Sequence, residues 1–199
     1  MTIVNILYSG LGGHFSVVFS LIEADEQKEY EHVLIFYGIE DMPQSYVDKC
    51  MEKGIRFFLV KKKQGLDVVS QKKVITILKD INPGIIMLHS ISLILPLYLY
   101  TFRKNTRLIS VEHQSNHLKS KKEWLWSVLL MRLSSNVVFL TDLYASQMKK
   151  RLGFLYDATR VRVISNGINT ELFKPFPSVP GSYSIGMLKE IRRCLFHII

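Results

Sequence analysis

Two histidines stand at the ends of short apolar runs. His89 follows Ile86-Met87-Leu88, and His113 follows Ser110-Val111-Glu112. An imidazole can bind a hydroxyl or exchange a proton near neutral pH, so two of them at one place would make a reactive or sugar-binding edge. A third feature lies upstream. Gly10-Leu11-Gly12-Gly13 follows the first apolar run and precedes a helical pattern. The backbone of such a loop can approach a ligand at a helix N-terminus. A tight turn without a ligand reads equally well. Glu112, beside His113, is suited to orienting the imidazole or binding a hydroxyl.

Several chemistries are disfavoured. A nicotinamide loop needs a third glycine where Phe15 stands, and the second apolar run ends at Tyr37-Gly38-Ile39 without the acidic residue that would bind a ribose. A lysine-ending phosphate loop is absent. His113 and His117 are four residues apart but have no third ligand beside them. The two cysteines, Cys50 and Cys194, match no metal or redox spacing. Cys50 reads as a core thiol near Tyr46, Val47 and Met51. No metal site is expected.

The elements that must position these residues alternate. Apolar runs at 3–8, 32–37, 55–60, 85–88, 107–111, 137–140 and 161–164 read as strands. Helical patterns lie between them: 15–24, 45–53 with Gly54 as a stop, and a stretch carrying Leu66, Val69, Val74, Ile77, Leu78 and Ile81 that must end before Pro83. A short helix follows His89, residues 123–133 are apolar almost all round, and Thr141-Asp142 open a last helix. Continuous apolar strands alternating with helices predict a doubly wound parallel α/β sheet, whose ligands gather at the carboxyl ends of the strands. His89, His113 and the glycine loop would then share that edge. The three prolines and one glycine within residues 174–181 mark a linker.

The net charge is +9, from 26 Lys and Arg against 17 Asp and Glu, which favours an anionic partner or else an inert basic surface. The basic clusters are Lys61-Lys62-Lys63, Lys119 with Lys121-Lys122, and Lys149-Lys150-Arg151. Lys119, Lys121 and Lys122 lead into Trp124 and Trp126. That order suits an anionic membrane surface, or a buried helix between solvated charges. No nucleic-acid-reading signature is present, so no nucleic-acid partner is expected. The longest lipid-like run, 91–100, is broken by Pro96 and too short to span a bilayer, and the N-terminus lacks a signal peptide. The expected location is cytoplasmic, with peripheral attachment at the inner face of a membrane.

Val161-Arg162-Val163-Ile164-Ser165-Asn166-Gly167-Ile168-Asn169, continuing to Phe173 and Pro175, is the most specific segment. It resembles the "V-x-V-I-P-N-G-I-D-x-x-x-F-x-P" strand and loop of glycosyltransferase family 4, with Ser165 for proline and Asn169 for aspartate. Gly12-Gly13, the run ending at His89-Ser90, Glu112-His113 and the segment from Phe139 to Asp142 fall in the family's order. The resemblance implies the Rossmann-like N-terminal domain of a GT-B glycosyltransferase over residues 1–174, a linker at 175–184, and at 185–199 a remnant of the first strand of a second domain. It implies sugar transfer of hexosyltransferase type from a UDP- or GDP-sugar to a glycan or glycolipid acceptor, in bacterial surface polysaccharide or glycolipid assembly. The donor would bind the second domain, so this chain would hold no cofactor itself and would be inactive alone, as a truncated half. Carried over by position, His113 would lie near the reacting sugar as the catalytic residue. Gly12, Gly13, His89 and Glu112 would line the acceptor cleft, and Asn166 would support the loop at the domain junction. The alternative is a non-catalytic acceptor-binding or membrane-associated module working with a separately encoded donor domain.

Overall fold

The computed structural model describes residues 1–102, 104–113 and 119–166. Of the sequence expectations, the linker at 175–184, the segment 185–199, His117, Cys194 and the family-like loop from Gly167 onward lie outside the described residues.

The elements follow in strict alternation: β1 (Thr2–Leu7), α1 (Gly13–Ala24), β2 (Glu31–Gly38), α2 (Gln44–Glu52), β3 (Arg56–Lys61), α3 (Val68–Ile81), β4 (Ile85–Leu88), α4 (Ile94–Thr101), β5 (Arg107–Glu112), α5 (Lys121–Leu133), β6 (Asn136–Phe139), α6 (Asp142–Leu152) and β7 (Val161–Val163). All seven strands pair in parallel in the order β3-β2-β1-β4-β5-β6-β7. The chain starts in the middle of the sheet, winds outward to β3, then crosses back and winds the other way from β4. The order therefore reverses between β1 and β4, which is where an open α/β sheet offers a crevice.

The central strands are mostly apolar because both faces are covered. Alternate residues serve different layers. Val4 and Ile6 of β1 join Val33 and Ile35 of β2 in one core under α3 and α4, built on Val74, Leu78, Leu97 and Tyr100. Their neighbours Leu7, Leu34 and Phe36 face the other way, onto Phe15 and Phe19 of α1 and Tyr46 and Cys50 of α2. A third cluster joins Leu130 and Met131 of α5 to Phe139 of β6 and Met148 of α6. Cys50 is a core thiol, and burial pushes its pKa up to about 11. Among the described residues, no helix is long and apolar enough to cross a membrane.

Helix ends follow local chemistry. Gly54, at φ 63°, closes α2: its N–H bonds the Met51 carbonyl, and the Ile55 N–H bonds Cys50 at 2.8 Å. Asp67 caps α3 by accepting from the Ser70 N–H, and left-handed Asn82 ends it just before Pro83. Ser120 and Glu123 form a reciprocal capping box on α5. Three expectations are corrected. Leu66 and Val69 are not on the core stripe of α3; they are 81% and 67% exposed, because Leu66 precedes the helix and Val69 is out of phase with Ser70, Val74 and Leu78. Met51 likewise turns to solvent on α2. The stretch 123–133, read as apolar almost all round, is not buried all round: Leu125 faces solvent, and the buried face of its helix includes Ser127.

Removing the Ser120 cap should therefore matter more than trimming the helix surface. Ser120→Ala is expected to cost about 1 kcal/mol of stability. Lys122→Ala should stay within about 0.5 kcal/mol. Urea unfolding of both variants at neutral pH checks the contrast.

Candidate functional site

The carboxyl ends of β1, β4 and β5 bring three imidazoles together. His89 continues the ladder of β4, its N–H bonding the Ile6 carbonyl at 3.0 Å, so its ring stands beside β1. Its Nδ1 lies 2.8 Å from Nε2 of His113, which follows β5. Its Nε2 lies 3.4 Å from Asn5 Oδ1 in β1. Asn5, His89 and His113 all occupy the positions of their strands that face the α1 side, which is why they meet. The contacts form one chain, Asn5–His89–His113, along which each neutral ring offers one nitrogen as donor and the other as acceptor.

His14, on the first turn of α1, completes the group. Its Nε2–H donates to the Tyr8 carbonyl at 3.1 Å, and its ring centroid lies 6.4 Å from that of His113. The glycine loop makes room for it. A Cβ on Gly12 would collide with the His14 ring, and one on Gly10 would collide with the Glu40 carboxylate. Gly13, by contrast, faces open space. The loop is tied from beneath as well. Tyr46 Oη accepts from the Gly12 N–H at 3.2 Å, and Ser9 Oγ donates to the Glu40 carbonyl at 2.7 Å. Phe15, standing where a dinucleotide loop would have glycine, is buried and stacks on Tyr46 with centroids 3.7 Å apart.

Burial holds all three imidazoles in the neutral form. Desolvation, then the neighbouring rings of His113 and His14, pulls the pKa of His89 down to about 3. Desolvation, then His14, pulls His113 down to about 4. His14 is lowered by burial against the opposing bond to Tyr8. Such weak bases suit hydrogen bonding to hydroxyl groups better than proton removal. Among the described residues, no group of three or more histidines, cysteines or carboxylates is placed to hold a metal ion.

The other residues marked in the sequence fall in different places. Glu112 does not orient His113. It follows the strand alternation to the opposite face, where its carboxylate accepts from Lys119 Nζ at 2.8 Å. Lys119 is therefore not a surface residue: its side chain is 1% exposed, it also donates to Ser127 Oγ at 3.0 Å, and its ammonium lies over the Trp124 ring. Trp124 and Trp126 pack against two of the cores, and only Lys121 and Lys122 face solvent. Asn166 lies three residues past β7 on the same edge, with its side-chain oxygen buried and unpartnered among the described residues. Asn5 and His14 were not marked. The signals were a lone amide in an apolar strand and a histidine directly after the glycine pair.

Neutral, buried imidazoles link stability to pH. Between an unfolded pKa near 6.5 and the lower folded value, the unfolded chain binds protons that the native chain does not, so stability falls as pH drops. Each such histidine contributes a slope of about 1.4 kcal/mol per pH unit in that window. His32, lowered by burial despite Asp25, adds to the total, so the readout is a difference. His113→Gln is expected to flatten the dependence of urea-unfolding stability between pH 6.5 and 4.5 by roughly one such slope.

Comparison with known proteins fits this geometry. A family model described as Glycosyltransferase Family 4 matches residues 11–172. Among solved structures, HepE from Anabaena in complex with UDP superposes with a TM-score of 0.68 at 16% identity, covering 98% of this chain and 50% of that one. A glycosyltransferase from Rickettsia africae gives 0.67 at 15% identity, covering 98% and 49%. The lipopolysaccharide outer core galactosyltransferase WaaB, in its apo form, gives 0.63 at 17% identity, covering 84% and 46%. At these identities the likeness shows the fold, and the chain spans about half the length of these neighbours. No functionally curated protein matches the chain. By its family match and its Rossmann-like sheet, the chain belongs to glycosyltransferase family 4, and its described domain has the architecture of the N-terminal half of a GT-B enzyme.

Proposed function

We propose that this domain is the acceptor-side half of a glycosyltransferase, in which sugar passes from a UDP- or GDP-sugar to a glycan or glycolipid acceptor of a surface polysaccharide or glycolipid. The observation that carries the reading is the histidine cluster at the switch point. It presents neutral imidazoles and glycine-loop backbone on one edge, a surface suited to hydroxyl groups. Family membership supports the reaction class. His113 is the residue that holds an acceptor or transferring-sugar hydroxyl, and its contact with His89, itself held by Asn5, fixes the orientation of its ring. The nucleotide-sugar would be held by a donor-binding domain facing this edge, either in a longer polypeptide or encoded separately. On this reading the domain by itself binds acceptor and does not transfer sugar.

Two measurements test this. Glycan-array binding should find a preferred oligosaccharide or lipid-linked sugar, and His113→Ala should weaken it roughly tenfold, the worth of one hydrogen bond and its desolvation. Incubation of the purified chain with UDP- or GDP-sugars and that acceptor should yield no product. Sugar transfer by the chain alone, or tight UDP binding with no glycan binding, would contradict the assignment to the acceptor side.

A further inference from the structure

The lysine run at the end of β3 takes no part in the site above. It lies at the corner where β3 leads into α3, on the carboxyl edge of the sheet. Lys61 and Lys63 are exposed there, Lys62 is half-buried, and Lys72 and Lys73 project from the first turns of α3. Four apolar side chains beside them face solvent. Leu66 is 81% exposed, Val69 67%, Val68 51% and Leu59 44%. Two open grooves of about 480 and 330 Å³ adjoin here, and both are lined by Val69 and Lys73.

This apolar tip is built, not frayed. Asp67 caps α3 with one oxygen and with the other accepts from the Lys63 N–H at 2.9 Å, closing the loop that presents Leu66. Gly65, at φ 80°, allows the turn. The acidic groups at this corner are already engaged: Asp67 in that cap, Asp41 in an ion pair with Lys61. The lysines therefore leave an excess of positive charge around protruding aliphatic side chains.

We propose that this β3–α3 corner is a docking surface for an anionic lipid bilayer, with Leu66 and Val69 entering the interface and the surrounding lysines meeting lipid phosphates. Charge complementarity selects the occupant. Lysines ringing exposed aliphatic groups match an anionic surface that has an apolar interior beneath it. Nucleic acid would call instead for arginine forks or stacking rings, which these residues do not supply. The corner is a better membrane-facing element than the Lys119–Trp126 segment, since the Lys119 side chain is buried and both tryptophans pack in part against the cores. β3 and β4 are three strand spacings apart, roughly 14 Å. A docked bilayer would thus lie beside the edge that carries His89. Docking stands on this patch alone and does not depend on the sugar-transfer reading.

Co-sedimentation of the full chain with phosphatidylglycerol-containing and pure phosphatidylcholine vesicles tests it. Binding is expected to the anionic vesicles and to fall at high salt. Lys72→Glu with Lys73→Glu should lower the partition coefficient roughly tenfold or more. Lys121→Glu with Lys122→Glu, an equal change in net charge at the α5 N-terminus, should lower it much less. Leu66→Ser with Val69→Ser should reduce binding several-fold at unchanged charge. Far-UV circular dichroism confirms that these surface variants fold. No preference for anionic vesicles, or equal losses from the two lysine pairs, would overturn the proposal. So would sensitivity to Lys72 and Lys73 without any effect at Leu66 and Val69, an outcome that would point to an acidic macromolecule instead.

Discussion

The candidate site depends on the parallel pairing of β1 with β4. That pairing is where the winding direction of the sheet reverses, and no crossover helix bridges the gap at its carboxyl edge. The bond from the His89 N–H to the Ile6 carbonyl extends this pairing by one residue beyond β4. It places an imidazole against β1, within reach of Asn5. From there the contact passes to His113 across the next strand. A shift of one residue in register would turn Asn5 and His89 toward opposite faces and dissolve the cluster.

The same alternation separates two kinds of polar chemistry on β5. His113 joins neutral, hydrogen-bonding rings on the α1 side. Glu112, one residue earlier, points to the α5 side and meets Lys119. The buried ion pair is compensated by Ser127 and by the face of Trp124, which lowers the cost of removing both charges from water. It ties the start of α5 to the end of β5. Of the lysine and tryptophans that read as a surface motif, Lys119 is in this way buried and the two tryptophans are packed in part against the cores.

Basic charge is distributed unevenly as a result. The lysines at the β3–α3 corner keep their exposure because the loop between them is closed by its own cap and, among the described residues, nothing is packed over it. Their aliphatic neighbours stay exposed for the same reason. The sheet therefore carries two different surfaces on one edge: uncharged rings near its centre and a positively charged apolar corner at its rim.

The sequence by itself determined the architecture. Continuous apolar runs separated by helical spacing, with Gly54, Pro83 and Thr141 as punctuation, can be satisfied by a parallel sheet covered on both faces and by few other arrangements. The segment beginning at Val161 identified the family, because its residue order is specific over many positions. Local signals placed His89 and His113 at strand ends, which was enough to put them on one edge. Only the tertiary structure decided what they touch. The Asn5–His89–His113 chain spans residues far apart in sequence, and its geometry comes from sheet order and register, which no local pattern encodes. The opposite fates of Glu112 and His113, the burial of Lys119, and the exposure of Leu66 and Val69 were likewise decided by packing. A lysine beside tryptophans reads the same in sequence whether its ammonium meets a phosphate or a buried carboxylate, and long-range contact makes the difference.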